Sequence, residues 1–193
     1  MPNNNRKTQI LQALARMLEE RPGEKITTAN LAAEVGVSEA ALYRHFPSKG
    51  KMLEGLISFA EDSLFTRITR ISSDHAVGPA RVRYTIALLL GFVEQNPGFA
   101  RLFAGDALLG ETERLRERMH QLLNRIETHL RQMLREYNQT LPFGTTLPIN
   151  SSANLLMAVA EGRIIQFVRS NFTQKPTQDW DTQWELLQAS LFK

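Results

Sequence analysis

Apolar residues recur along most of the chain at steps of three and four, the spacing that places them on one face of an α-helix. Runs that alternate between β-branched and polar residues, which are typical of strands, are scarce. The sequence therefore predicts an all-α protein of eight or nine helices. Their expected spans are residues 5–20, 27–35, 39–45, 48–70, 79–96, 98–109, 111–137, 150–170 and 178–192.

Capping residues mark a pair of short helices near the N-terminus. Thr27 or Thr28 can cap the first of the pair, and Ser38 can cap the second, because their hydroxyls can accept hydrogen bonds from free helix amides. Gly36 suits the left-handed turn between the two helices. Two short helices that meet at such a turn predict a helix-turn-helix unit.

The excess positive charge lies in the same part of the chain. The net charge is +3, and residues 1–51 hold eight Lys and Arg against five Asp and Glu, whereas the rest of the chain holds fifteen of each. A small basic domain joined to a neutral one is typical of nucleic-acid binding. We predict a helix-turn-helix DNA-binding domain over 1–47 and a helical regulatory, dimerisation and partner-binding domain over 48–193.

Composition excludes several other classes of protein. The chain has no Cys, which rules out disulfides, thiolate zinc sites and cysteine nucleophiles. His120 and His129 are nine residues apart on one predicted helix and so point to opposite faces. No glycine-rich phosphate loop and no serine nucleophile motif is present. We therefore expect no enzyme, no metal and no cofactor.

Membrane association is not expected either. The longest apolar run, residues 84–93, is much shorter than the roughly 18 residues of a membrane-spanning helix. The first residues lack the apolar stretch of a secretory signal. The sequence predicts a soluble intracellular protein.

Three residues interrupt the apolar pattern of the fourth and fifth helices. Phe59 lies off the apolar stripe, which indicates an exposed interaction residue or a dimer contact. Arg67 falls inside the stripe, where a charge needs an acidic partner, a ligand or access to solvent. Gly91 interrupts an apolar helix and indicates close approach of another helix or chain.

The segment VGVSEAALYRHFPSK, residues 35–49, resembles the DNA-binding domain of the TetR family of bacterial regulators. Other segments, among them residues 88–92, 96–98 and 167–172, resemble the nucleoid occlusion factors of that family, so the resemblance covers nearly the whole chain. It implies a TetR-like fold and a homodimer that binds palindromic double-stranded DNA. It also implies a cytoplasmic protein that is associated with the nucleoid.

The resemblance further implies which residues act. The DNA-binding residues would be Thr27, Thr28, Ser38, Ala40, Tyr43, His45 and Lys49. The DNA-bound protein would engage the C-terminal tail of the division protein FtsZ and block Z-ring assembly and septum formation over the nucleoid. The FtsZ tail would lie between the fourth and fifth helices, against Phe59, Leu64, Arg67, Leu88, Gly91 and Asn96. Gln95 stands where this resemblance leads us to expect Arg, and Arg101 is a candidate replacement.

Two other functions stay open at this point. A TetR-type ligand-responsive transcriptional repressor would carry the same DNA-binding domain, and would need a pocket with convergent polar groups in its larger domain. An all-α interaction module would not bind DNA at all. Trp180 and Trp184, one helical turn apart, are expected in the core, and the last two helices are expected to form the dimer interface.

Overall fold

Helices make up the architecture of the chain. A computed structural model describes residues 2–21, 26–140, 142 and 144–193, and within them it contains nine α-helices, one 3-10 helix and no strand. The α-helices are α1 (Pro2–Glu20), α2 (Thr28–Val35), α3 (Glu39–His45), α4 (Lys49–Asp74), α5 (Pro79–Gln95), α6 (Pro97–Phe103), α7 (Glu113–Thr140), α8 (Ile149–Arg169) and α9 (Trp180–Leu191). We call α1–α3 the head and α4–α9 the body. The predicted all-α class is confirmed.

The predicted caps divide the head as expected. The hydroxyls of Thr27 and Ser38 each accept a hydrogen bond of 3.2 Å from the backbone amide three residues further along, and that of Ser48 does the same at the start of α4. Thr27, rather than Thr28, is therefore the cap of α2. Gly36 ends α2 with a φ of 71°, in the left-handed region that glycine enters without steric cost.

Helix ends differ from the prediction where a local turn intervenes. The helix expected over 98–109 ends at Phe103, because Gly105 takes a φ of 80° and the chain continues as a 3-10 helix over Asp106–Leu108. Helix α4 continues to Asp74 rather than ending near residue 70. Helix α7 begins at Glu113, two residues later than expected, and extends to Thr140.

Helix α5 is the centre of the body. It packs against α4, α6, α7, α8 and α9, which suits a helix whose middle is apolar on nearly all sides. Its residues Val82, Ile86, Leu89, Leu90 and Val93 are fully buried. Because five helices surround α5, any change in its position reaches most of the body.

The junction between head and body is formed mainly by α1 and α6. Gly98 at the start of α6 lies against the backbone of α1, where a β-carbon would overlap the carbonyl oxygen of Ala15. The close approach expected at Gly91 is wrong within this chain, since a β-carbon there would meet nothing within 4 Å. Among the described glycines, Gly98 makes the tightest contact with a neighbouring helix.

The apolar stripe of α4 also differs from the prediction. Phe65 is buried, whereas Arg67, which was expected inside the stripe, is exposed. The cause is α7, because the ring of His129 packs on Phe65 at a centroid distance of 5.1 Å and covers that side of α4. The stripe is thus rotated toward Phe65, and Arg67 faces solvent.

The last two helices combine core and surface residues. Trp180 and Trp184 are buried with ring centroids 5.8 Å apart, which confirms their expected core position. Leu155 and Ile165 of α8 and Leu186 of α9 are exposed. Within the described part of the chain, no helix is both long and apolar enough to span a membrane.

Candidate DNA and partner interfaces

Helix α3 presents Tyr43 at the surface of the head. Its hydroxyl donates a 3.2 Å hydrogen bond to the hydroxyl oxygen of Thr28, which in turn donates a 2.6 Å bond to the carboxylate of Glu39. The chain of bonds joins α2 to α3 and holds the exposed ring of Tyr43 in one orientation. A fixed aromatic hydroxyl next to a helix start can contact the backbone or the base edges of a DNA groove.

Small residues leave the start of α3 open. Ser38 and Ala40 are exposed, and the acidic side chain in this first turn, Glu39, is held by Thr28. Thr27 is likewise exposed at the start of α2, where the first backbone amides point outward. The sequence-predicted DNA residues Thr27, Ser38, Ala40 and Tyr43 therefore all lie on the accessible surface of the head, whereas His45 is half-buried.

Lys49 is already engaged by the body. Its Nζ atom lies 2.7 Å from a carboxylate oxygen of Glu111, which follows the 3-10 helix. Both side chains are largely shielded from solvent, with 24% of Lys49 and 18% of Glu111 exposed. A DNA phosphate at Lys49 would have to compete with Glu111, so this ion pair at the start of α4, directly after the head, opposes a phosphate contact there.

All but one of the residues expected to hold the partner tail are at least partly exposed, and they lie on α4, on α5 and at the cap between α5 and α6. Phe59 is 53% exposed, and Arg67 is exposed on the same helix. Leu88 and Gly91 are half-buried on α5 and, three residues apart, share one helix face. The exception, Leu64, is 1% exposed and belongs to the core, because α5 and α7 cover that side of α4.

A cleft of about 770 Å³ opens between the head and the body and includes part of this surface. One wall is formed by α1 and α2, and the other by α4 and the junction of α5 with α6. Phe59, Gln95 and Asn96 line the body wall. We call this space the head–body cleft. The contribution of α1 was missed by the sequence reasoning, although the exposed polar residues along α1 were a usable signal.

Arg101 cannot replace the cation that the sequence analysis expected at Gln95. It is 4% exposed, and its Nη1 atom donates to the carbonyl oxygens of Leu18 at 2.9 Å and Arg21 at 3.1 Å. Its Nε atom pairs with the carboxylate of Asp106. The expectation that Arg101 contacts a partner is therefore wrong, since its guanidinium binds the C-terminal end of α1 instead.

Ion pairs fix α4 against α7 behind the candidate partner surface. Burial opposes ionisation of Glu61, yet hydrogen bonds from Arg118 and Arg125 outweigh burial and lower the pKa of this carboxyl. Arg125 also lies 4.0 Å from the ring centroid of Phe65. These contacts fix α4 against α7, so that the helix that carries the exposed Phe59 is held in one position.

The interior of the body offers few groups to a polar ligand. Among the described residues, the buried polar side chains are Thr85, Arg101 and Ser152. Thr85 donates a 2.8 Å hydrogen bond to the carbonyl oxygen of Arg81, and Ser152 donates a 3.3 Å bond to that of Leu147. All three are satisfied within the chain, and among the described residues the buried indole Nε1 of Trp180 is the polar side-chain atom left without a partner, so the interior offers a polar effector molecule little beyond that one donor.

Known proteins match the chain along its whole length. Residues 10–56 match the family described as bacterial regulatory proteins, tetR family, and residues 78–192 match the SlmA-like family described as tetracyclin repressor-like, C-terminal domain. A protein of Shewanella woodyi named nucleoid occlusion factor SlmA is 56% identical over 192 residues, which cover 100% of this chain and 98% of the relative. A protein of the same name from Marinomonas sp. is 55% identical and covers 97% and 95%.

Solved structures show the same fold at much lower identity. A TetR transcription regulator from Haloarcula marismortui aligns with a TM-score of 0.80 at 20% identity, over 97% of this chain and 99% of its own. The MbdR regulator from Azoarcus sp. aligns with a TM-score of 0.81 at 17% identity, over 96% and 98%. These similarities establish the TetR-like fold predicted from the sequence.

The two families account for both parts of the molecule. The tetR match covers the helices that present Tyr43, and the SlmA-like match covers the body from residue 78 onward. Regulators of this kind bind DNA and are not enzymes, in agreement with the sequence prediction. The chain therefore belongs to the SlmA family of nucleoid occlusion factors, which are DNA-binding proteins of the TetR type.

Proposed function

We propose that this chain binds palindromic chromosomal DNA sites as a homodimer and, when bound to DNA, holds the C-terminal tail of FtsZ and so blocks Z-ring assembly over the nucleoid. The observation that carries the proposal is the exposure of Phe59. Its ring is 53% exposed, although the apolar stripe of the same helix is buried from Met52 to Ile68. An aromatic ring held open beside the DNA-binding head is suited to anchor an apolar side chain of a partner.

DNA binding is assigned to the head, for which we propose the boundary at residues 47 and 48. Tyr43, Ser38 and Ala40 would approach the major groove, which is about 12 Å wide and accepts an α-helix. Thr27, Thr28 and His45 would contact the DNA backbone or the groove edge. Lys49 would bind a phosphate after it leaves Glu111.

Dimerisation is assigned to α8 and α9. Leu155 and Ile165 of α8 are 39% and 47% exposed and Leu186 of α9 is 71% exposed, so both helices leave large apolar side chains in water. Covering these side chains with a second copy would bury apolar area that a single chain leaves in water. A two-fold dimer would also present two heads to the two halves of a palindromic site.

The tail groove is assigned to the adjoining surfaces around Phe59, Leu88, Gly91, Asn96 and Arg67. Gly91 leaves open space above α5, since nothing lies within 4 Å of its virtual β-carbon. The side chain of Asn96 donates a 2.7 Å hydrogen bond to the carbonyl oxygen of Phe92, which leaves its own oxygen free to accept one from a partner. Leu64 would shape the groove from below rather than contact the tail.

Fluorescence anisotropy of a labelled FtsZ C-terminal peptide tests the proposal. The protein is titrated with and without a palindromic DNA duplex, at one salt concentration because phosphate contacts make DNA affinity depend on salt. We expect specific peptide binding that strengthens with DNA and is lost in Phe59→Ala. Tyr84→Ala, which removes another exposed aromatic ring from outside the proposed contacts, serves as the control. Absence of peptide binding by folded, DNA-bound protein would overturn the proposal and favour a ligand-responsive repressor.

A further inference from the structure

Three side chains form one hydrogen-bonded chain on the surface of the head. The hydroxyl of Tyr43 donates to that of Thr28 at 3.2 Å, and the hydroxyl of Thr28 donates to Oε2 of Glu39 at 2.6 Å. Glu39 and Tyr43 are four residues apart on α3 and therefore share one face of that helix. The face of α3 that the proposed function directs at DNA thus carries an acidic side chain.

Glu39 fixes the direction of these hydrogen bonds. An ionised carboxylate can only accept, so the hydroxyl of Thr28 has to donate to it. Because a hydroxyl has one proton, Thr28 can only accept from Tyr43, whose own proton is then used as well. The three side chains have no proton left to donate, and the groups that they present to a ligand are acceptor oxygens.

One carboxylate oxygen of Glu39 has no partner. The residue is exposed, and within the described part of the chain its Oε1 atom makes no hydrogen bond and no ion pair. Glu34 at the end of α2 differs, since its carboxylate lies 3.6 Å from the guanidinium of Arg16 on α1. An unpaired carboxylate is repelled by DNA phosphates, so on a DNA-binding face it is favourable only where the DNA offers a donor.

The major groove offers such donors only at exocyclic amino groups. Cytosine presents its N4 amino group, adenine presents its N6 amino group beside the acceptor N7, and guanine and thymine present acceptors without a donor. A carboxylate is repelled by N7 and therefore favours cytosine over adenine. Ala40, the exposed residue after Glu39, is small and leaves room for a base edge at this point.

We propose that Glu39 determines base preference, and that its Oε1 atom accepts a hydrogen bond from the N4 amino group of one cytosine in each half of the DNA site. Thr28 and Tyr43 hold the carboxylate in place for this contact. The inference rests on the proposed binding of palindromic DNA by a homodimer, and it adds one base and the residue that reads it. Each protomer contributes one Glu39, so the cytosine recurs in both half-sites.

Selection from a duplex library tests the proposal. Wild type and Glu39→Ala each select from duplexes with a randomised stretch of about 20 base pairs, or two helical turns, at one salt concentration. We expect wild type to enrich a palindrome with a cytosine at one position per half-site where Glu39→Ala shows no preference. Glu34→Ala is the matched control, because it removes a carboxylate of the head that is paired with α1, and it should select the wild-type sequence.

Affinities for the selected duplex separate base reading from a structural role. Replacing the C·G pair by T·A in both half-sites should weaken wild type about a hundredfold, or about tenfold per half-site, and Glu39→Ala by about twofold at most. On a duplex without the site, Glu39→Ala should bind more tightly than wild type, because a negative charge has left the DNA face. If Glu39→Ala instead weakens binding to every duplex by the same factor, Glu39 only supports the head and the proposal is wrong.

A base analogue tests the contact at the level of one atom. Pyrimidin-2-one carries a hydrogen in place of the N4 amino group of cytosine. In one half-site it should weaken wild type about tenfold and leave Glu39→Ala unchanged, which completes a double-mutant cycle. Equal losses in the two proteins would exclude a contact between Glu39 and N4.

Glu39→Gln tests the same contact in a variant that keeps the shape of the side chain. Its amide both donates and accepts, so the preference should move from cytosine to adenine, whose N6 and N7 match an amide. Unchanged preferences in Glu39→Gln and Glu39→Ala would overturn the inference while palindromic DNA binding stands, and a wild-type preference for adenine would overturn the assignment to cytosine. If wild type selects no common sequence, the proposed DNA site is overturned together with the inference.

Discussion

Gly98 of α6 lies so close to the carbonyl oxygen of Ala15 on α1 that no β-carbon fits between them. The side chain of Leu18 lies on the same side, 3.3 Å from the virtual β-carbon. This contact fixes the distance between head and body, because neither backbone can yield without moving a whole helix. Phe99, the next residue, continues the contact to Phe59 at the candidate partner surface.

Gly98→Ala should destabilise the protein by about 1–3 kcal/mol, because the added methyl group forces α1 and α6 apart. The free energy of unfolding in urea measures the effect. Gly91→Ala is the control, and its added methyl group meets open space. Because a helical Gly costs about 1 kcal/mol relative to Ala, this substitution should not lower the free energy of unfolding. Equal stability of Gly98→Ala and wild type would contradict the rigid contact.

Arg101→Met should destabilise the protein by about 3 kcal/mol. The substitution leaves the carbonyl oxygens of Leu18 and Arg21, together with the Asp106 carboxylate, without the guanidinium that now binds them. Urea unfolding measures the loss, and Arg70→Met, at an exposed pair, should change stability little. If the two variants unfold alike, Arg101 does not bind the head to the body.

Glu111→Gln should raise DNA affinity, because Lys49 would no longer have to leave the Glu111 carboxylate before it binds a DNA phosphate. Lys49→Gln should lower DNA affinity for all sequences and reduce the slope of log affinity against log salt by about one. Anisotropy titrations of a labelled duplex at several salt concentrations give both quantities. An unchanged salt slope in Lys49→Gln would exclude Lys49 from the DNA contacts.

The free energy of unfolding should fall as the pH drops below 6.5, because His129 takes up a proton more readily in the unfolded chain than in the folded one. Burial, with Arg125 nearby, lowers the pKa of His129 from its ordinary value of 6.5. The unfolded chain therefore binds a proton first as the pH falls, and the folded state loses stability between pH 6.5 and the lowered pKa. His129→Phe, which can keep the ring contact with Phe65, should lose less stability than wild type between pH 7.5 and 5.5. Parallel stability curves for the two proteins would contradict this.

Local signals in the sequence were sufficient to predict the short helices of the head. A cap such as Ser38 and a left-handed turn at Gly36 act on neighbouring amides, so that their effect is independent of distant residues. The periodicity of α5 was sufficient for its central position, because a helix that is apolar on nearly all sides has to be surrounded. The all-α class and the exposed Phe59 followed from the same reasoning.

Contacts between distant helices could not be predicted in this way. Phe65, rather than Arg67, is buried because α7 brings His129 against α4 from 64 residues further along the chain. Arg101 is committed to α1 because α6 meets the end of that helix, a contact between residues that are 80 or more apart. The head–body cleft arises from the same packing, which no pattern within a single helix encodes.

The coupling between DNA and the FtsZ tail decides whether DNA activates the tail site. DNA affinity is measured for the full chain without peptide and with a saturating FtsZ C-terminal peptide, and peptide affinity is measured without and with saturating DNA. Binding free energies are reciprocal, so we expect each ligand to raise the affinity of the other by the same factor. If each affinity is unchanged by the other ligand, DNA does not activate the tail site and the proposed function is wrong.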